Sequence, residues 1–170
     1  MEIKIRQFVK EDIPYKVEWI NNSENNQFLH YNLPLNIEKT SAWFKSIQNR
    51  EDRLDYTITY DDIPIGIIGL LNIDKVNKKA EYYVTLGETD FKGIGVAKKA
   101  TELLLEEAYK IYNLNKVYLF TEVDNIPAQK LFEKSGFKKE GLLKEDIIYN
   151  KKKIDRYVYS FLATEFLGGK

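Results

Sequence analysis

Residues 86–108, LGETDFKGIGVAKKATELLLEEA, constrain the fold more than any other stretch. They close an apolar strand, pass through a polar turn into Lys92-Gly93-Ile94-Gly95-Val96-Ala97, and continue as an amphipathic helix. Such a junction aims several backbone N–H groups, and the positive end of the helix dipole, at one spot. Glycines there let a ligand approach the main chain closely. The matching ligand is a phosphate or pyrophosphate. Glycine pairs before helices are also ordinary turn and cap devices, so the stretch alone leaves both readings open.

Two familiar phosphate-binding loops are excluded by the residues. A P-loop ends in Gly-Lys-Ser/Thr, and a dinucleotide fingerprint sets three glycines at the opening of a βαβ unit. Neither pattern is present.

Periodicity places the rest of the chain. Residues 2–9 alternate, with Ile3 and Ile5 on one face, and predict a first strand. Lys10-Glu11-Asp12 opens a helix carrying Val17 and Ile20 inward and ending at Asn21-Asn22. Residues 23–34 have no stable period and predict a loop over the body of the protein, of the kind that lines substrate sites. Asn36 caps a second helix with Thr40, Trp43, Phe44 and Ile47 on one stripe. Alternation around Tyr56, Ile58 and Tyr60, the turn Asp61-Asp62 and an apolar run over 65–73 make a hairpin. A third antiparallel strand follows, with Ala80, Tyr82, Val84 and Leu86 on one face.

Beyond the glycine loop, Ala100, Leu103, Leu104, Ala108, Ile111 and Tyr112 form the expected buried stripe of the longest helix. Residues 117–123 are apolar enough for a central strand. Asp124-Asn125 caps a short helix that Ser135-Gly136 ends, and two strands over 137–149 and 153–162 turn at Asn150-Lys151. The order is strand, two helices, three antiparallel strands, long helix, strand, short helix, hairpin. It predicts an α+β fold with a mixed, mostly antiparallel sheet of about seven strands and about four helices, unlike an alternating doubly wound pattern.

Length and composition bound the function. At 170 residues the chain is the size of one domain, residues 1–170, with a single sizeable core. Basic and acidic residues both number 26, which gives no overall field to draw the chain to nucleic acid or an anionic membrane. No cysteine means no disulfide or thiol nucleophile, and the one histidine, His30, reads as a loop residue, so no metal site is expected. No apolar run reaches the ~20 residues that span a bilayer, and the start reads as a strand rather than a secretory signal. A soluble, cytoplasmic protein is expected. The basic run Lys151-Lys152-Lys153 reads as a solvated hairpin tip.

The six residues from Lys92 to Ala97 resemble the acyl-CoA pyrophosphate loop of the GNAT N-acetyltransferases, Gln/Arg-x-x-Gly-x-Gly/Ala, with Lys92 in place of Gln or Arg. The segment Asn125-Ile126-Pro127-Ala128-Gln129-Lys130-Leu131-Phe132-Glu133-Lys134-Ser135-Gly136-Phe137 resembles the family's other hallmark, Asn-x-x-Ala-x-x-Leu-Tyr-x-x-x-Gly-Phe. The two occur in the family's order, and the resemblance spans essentially the whole chain. The ending Lys139-Glu140-Gly141-Leu142-Leu143, with Asp155, resembles the branch of RimJ-type ribosomal-protein N-terminal acetyltransferases, spermidine acetyltransferases and some nucleotide-amino-sugar acetyltransferases.

The resemblance implies the GNAT fold and acetyl-CoA as cosubstrate. The strand before the glycine loop and the strand over 117–123 should splay into a cleft for the pantetheine arm. Main-chain groups of Val84, Thr85 and Leu86 would hold that arm like an added strand, and amides from Lys92, Gly93, Ile94, Gly95, Val96, Ala97 and Lys98 would hold the pyrophosphate. Asn125 is a candidate contact to pantetheine or substrate, and Phe132 lies beside the cofactor.

Attack on the thioester needs a neutral amine, hence a base. Glu81, on the strand facing the cleft, is the candidate, with desolvation raising its pKa; a surface partner for Lys78 and Lys79 is the plain alternative. Phe132 stands where many members carry the tyrosine that protonates the thiolate. Solvent, Tyr83, Tyr118 or another tyrosine must replace it, and Tyr83 is the catalytic candidate beside Glu81.

Candidate acceptor walls are the loop over 22–33, the helix with Trp43, and the last hairpin around Tyr149 and Asp155; Glu24, Tyr31 and Asp155 suit a cationic amine or a sugar. A small primary amine of polyamine or amino-sugar type is the first expectation, a protein N-terminal amine the second, and a non-catalytic acetyl-CoA-binding module the third. A homodimer is left open.

Overall fold

The computed structural model describes residues 1–168. Among them, seven strands form one sheet in the order β1-β2-β3-β4-β5-β7-β6. The strands are β1 (Ile3–Gln7), β2 (Leu54–Tyr60), β3 (Ile63–Asp74), β4 (Lys79–Leu86), β5 (Lys116–Glu122), β6 (Lys138–Tyr149) and β7 (Lys152–Leu162). All neighbours are antiparallel except β4 and β5, which the helix α4 (Val96–Glu106) connects. The β2–β3 and β6–β7 hairpin tips each turn through two residues with positive φ: Asp61 and Asp62, then Asn150 and Lys151. Short polar side chains at three of the four favour that geometry.

The helices cover the sheet unequally. On one face α4 and α5 (Ile126–Ser135) enclose the main core, in which Ile58, Leu70, Ala80, Leu104, Val117 and Tyr159 are fully buried. On the other face α1 (Ile13–Asn21) and α3 (Ile37–Ile47) pack a second cluster of Phe8, Ile13, Trp19, Ile20 and Ile67. β3 is buried from both sides, which explains its near-continuous apolar sequence. No helix among the described residues is long and apolar enough to cross a membrane.

Three expectations change. The loop over 23–34 begins with a short helix, α2 (Ser23–Asn26), capped by the Asn22 side chain on the Glu24 amide. After β7 the chain adds α6 (Ala163–Gly168), whose Phe166 packs on Tyr109 and Phe161. With these there are six α-helices, not four, among the described residues. The long helix, moreover, ends in a π-helical turn, Glu107–Ile111, with the Tyr112 amide bonded to the Glu107 carbonyl. The wider turn advances the stripe less per residue than an α-turn. Tyr109 thereby points inward at 4 % exposure, while Ile111, expected in the core, is 71 % exposed, and Tyr112 is also exposed.

Candidate active site

β4 and β5 pair only over Lys79↔Lys116, Ala80↔Val117 and Glu81↔Tyr118. Beyond that point β4 runs on to Leu86 held by β3 alone, and β5 runs on to Glu122 held by β7 alone. The two strands part at Glu81 and Tyr118, leaving backbone groups on their facing edges without a strand partner. An extended ligand can take that place in the ladder. Val84, Thr85 and Leu86 lie on the free stretch of β4, as the sequence predicts.

The glycine loop sits at the open end of this cleft. Gly93 and Gly95 have φ of +78° and +88°, in the left-handed region where other residues are strained. A Cβ at either would meet nothing within 4 Å, so these glycines serve backbone conformation and open approach rather than tight packing. Gly95 is the N-cap of α4 and offers no capping side chain. The first intrahelical bond at this end runs from the Lys99 amide to the Gly95 carbonyl, which leaves the amides of Val96, Ala97 and Lys98 for an anion. Ile94 is exposed at the loop tip. Lys92 donates to Asn25 Oδ1 at 2.6 Å, and Asn25 Nδ2 donates to the carbonyls of Trp19 and Gly87, so α2 braces the loop. Glu24, expected at the acceptor, instead accepts from Thr89 beside this loop.

Alternation decides which side chains face the acceptor. Ala80 and Tyr82 of β4, and Val117 and Leu119 of β5, point into the main core. Glu81, Tyr83, Tyr118 and Phe120 therefore occupy the opposite face. Glu81 stands at the apex. Burial raises its pKa, opposed by Arg156 and by a long contact of 3.5 Å from Asn72 Nδ2. Such a carboxylate is more basic than an ordinary one and suits proton abstraction.

Tyr83 shares the face but not the task expected of it. Asp55, Gly69 and Tyr83 are aligned across β2, β3 and β4. A Cβ at Gly69 would lie 2.7 Å from the Tyr83 ring, so only glycine lets that ring cross β3 and donate to Asp55 Oδ1 at 2.6 Å. Burial and the Asp55 carboxylate hold the phenol well above its ordinary pKa. Its proton is committed to Asp55, which argues against Tyr83 as donor to a thiolate. Phe132 is 7 % exposed and meets Tyr82 edge-on in the main core. Asn125 caps α5 by accepting from the Ala128 amide at 3.2 Å. Thr121 Oγ1, on the divergent stretch of β5, is buried without a hydrogen-bond partner among the described residues.

The expected acceptor walls meet. The Tyr149 hydroxyl donates to the Tyr31 carbonyl at 2.8 Å, and His30 packs on Tyr149 and lies 3.2 Å from Glu122. The Trp43 ring meets both the Lys16 ammonium, 3.4 Å from its centroid, and the Arg53 guanidinium, 5.4 Å from it and paired with Asp55. Burial lowers the Lys16 pKa to about 8, and burial also raises that of the Tyr31 phenol. Asp155 is spent elsewhere: it accepts from the Glu145 amide and braces the irregular stretch of the β6–β7 pair.

The sequence model of the acetyltransferase (GNAT) domain matches residues 2–138, a span that contains both motifs. The chain belongs to the GNAT acetyltransferase family. It is 33 % identical over 126 residues to an uncharacterized N-acetyltransferase, p20, of Bacillus licheniformis, across 72 % of this chain and 68 % of that protein. It is 25 % identical over 150 residues to the spermidine N(1)-acetyltransferase of Escherichia coli K12, across 87 % of this chain and 79 % of the relative. The crystal structure of spermidine N-acetyltransferase from Vibrio cholerae in complex with CoA and spermine superposes with a TM-score of 0.89 at 21 % identity, covering 97 % of this chain and 98 % of the other.

Within this GNAT site, sequence reasoning missed Asp55, Arg53, Lys16, Glu122 and Arg156. Asp55 meets Tyr83 and Glu122 meets His30 across long sequence separations that no local spacing announces, whereas Arg53 pairs with Asp55 only two residues on.

Proposed function

We propose that this GNAT acetyltransferase moves the acetyl group of acetyl-CoA to a primary amine of a small polyamine-type acceptor. The observation that carries the reading is the coincidence of Glu81 with the point where β4 and β5 part. The pantetheine arm, added along Val84, Thr85 and Leu86, would bring the thioester toward that point, with its pyrophosphate on the amides around Gly95. Glu81 takes the proton that frees the amine lone pair for attack on the carbonyl carbon. A main-chain N–H of β4 polarises the carbonyl. Two acidic side chains, Glu81 and Glu122, with the rings of Tyr31 and Tyr149 between the walls, suit an acceptor with more than one cationic amine. The spermidine acetyltransferase relative supports the same class.

One observation favours a second reading. A hollow of about 300 Å³ on the same face is lined by Lys79, Lys116, Tyr118, Phe120 and Val158. Lys116 is paired with Glu140, but Lys79 adds positive charge that suits an acceptor with an anionic portion, such as a peptide N-terminus. Thiol release from acetyl-CoA over a panel of spermidine, spermine, amino sugars, aminoglycosides and Ser- or Ala-initiated peptides tests the assignment. Turnover of polyamines is expected; inert small amines with acetylated peptides would replace the first reading by the second.

A further inference from the structure

Collapse of the tetrahedral intermediate expels the CoA thiolate, and with phenylalanine at position 132 the family motif supplies no proton for it. Four neighbouring tyrosine hydroxyls are engaged; those of Tyr31 and Tyr157 are not, among the described residues, but neither residue pairs with Glu81. Tyr82 is bonded to Thr101 in the main core, Tyr83 donates to Asp55, Tyr149 to the Tyr31 carbonyl and Tyr159 to Glu133. Tyr118 differs. No described residue hydrogen-bonds its hydroxyl, which is nevertheless not a buried orphan and so is open to solvent or ligand. It is the cross-strand partner of Glu81 at the last paired position before the cleft opens, on the face that Glu81 occupies. Phe120 packs edge-on against its ring with centroids 5.7 Å apart and restrains it.

We propose that Tyr118 is the catalytic acid of this site, giving its hydroxyl proton to the departing thiolate and recovering one from Glu81. Once Glu81 has passed the first proton of the ammonium to solvent, the remaining proton and electron balance closes within the pair. The lone pair of the neutral amine forms the C–N bond while Glu81 takes the second amine proton. The C–S bond breaks with its electrons going to sulfur, and the Tyr118 O–H protonates that sulfur. The resulting phenolate then takes the proton from Glu81, directly or through one water, and both residues return to their starting states. Burial and the carboxylates of Glu81 and Asp74 raise the phenol pKa, which keeps the donor loaded at neutral pH.

The inference rests on acetyl transfer to an amine but not on which amine accepts. The test is Tyr118→Phe, assayed by thiol release with the best amine of the panel, beside calorimetric binding of acetyl-CoA and a thermal melt. A kcat loss of about 10²-fold or more is expected, with acetyl-CoA affinity retained. A second enzyme carrying 3,5-difluorotyrosine at position 118 keeps the ring and hydroxyl but lowers the phenol pKa; the basic limb of its kcat profile should move to lower pH. A structural role would not move that limb. Tyr118→Phe retaining kcat within about threefold across the pH range, or an unmoved limb in the fluorinated enzyme, overturns the assignment. Turnover of a non-polyamine with the Tyr118 effects intact would overturn only the acceptor reading, and no turnover with any amine would overturn both.

Discussion

Gly95→Leu separates the energy of shaping the loop from the energy of holding the ligand. Gly95 has φ +88° and ψ 4°, where an L-residue costs roughly 1–2 kcal/mol. A Cβ there meets nothing within 4 Å, so no clash adds to that strain. At roughly 2–4 °C per kcal/mol for a chain of this size, the unliganded variant should melt about 2–8 °C lower. Ligand binding should suffer more. The side chain would stand at the mouth of the site formed by the Val96, Ala97 and Lys98 amides, where hydrogen bonds to a charged group are worth about 1.5–3 kcal/mol each. Losing two of them removes roughly 3–6 kcal/mol, or between about 10² and 10⁴ in the dissociation constant. Calorimetric titration with acetyl-CoA reads the second quantity, and melts with and without ligand read both. Wild type at ligand 100-fold above its dissociation constant gains about 2.7 kcal/mol, and the variant at the same concentration should gain almost nothing. A variant that melts several degrees lower yet binds acetyl-CoA as tightly as wild type would refute the placement of the pyrophosphate.

Glu81→Gln should lower kcat/KM by about 10²- to 10⁴-fold near neutrality. It should not lower the melting temperature, because burial raises the Glu81 pKa and ionising it in the fold is unfavourable; this carboxyl's contribution to stability is present below its unfolded pKa and is lost as pH rises through its higher folded value. Full activity in Glu81→Gln would remove the base assignment. Asp12, 1 % exposed, is opposed by burial but accepts from Arg6, the Val9 amide and Thr57, and its pKa is lowered on balance. Its stabilisation is present above the unfolded carboxylate pKa and lost as pH falls through the lower folded value. Asp12→Asn should therefore lose about 1.5–3 kcal/mol in denaturant melts at neutral pH, and the two stability curves should converge in acid. Thr121→Val removes an unpartnered buried hydroxyl, so the protein should gain about 1 kcal/mol in denaturant melts. A loss of stability instead would show that the hydroxyl is satisfied within the fold.

The sequence by itself determined what short-range energetics control. Alternation located β1, β2 and β4, because facing core or solvent is settled two residues at a time, while apolar runs located β3 and β5 and a turn marked the β6–β7 hairpin. Asn36 and Asn125 announced their helices by capping, and each side chain does accept from a first-turn amide. The two-residue hairpin turns and the glycine loop were legible for the same reason: their chemistry lies within four or five residues. Tertiary structure decided the rest. Whether Ile111 is core or surface depends on a π-turn that follows from packing against the sheet, not from the residue's polarity. The loop over 23–34 gained a helix once Asn25 had Trp19, Gly87 and Lys92 to bind. Asp155 became a brace and Glu24 a loop partner through contacts whose register the sequence does not encode locally. Tyr83 and Tyr118 show the limit most clearly. On paper they were interchangeable phenols on neighbouring strands; a glycine in β3 lets one cross to Asp55, while the end of β4–β5 pairing leaves the other beside Glu81, because side-chain partners are set by strand register and not by spacing along the chain.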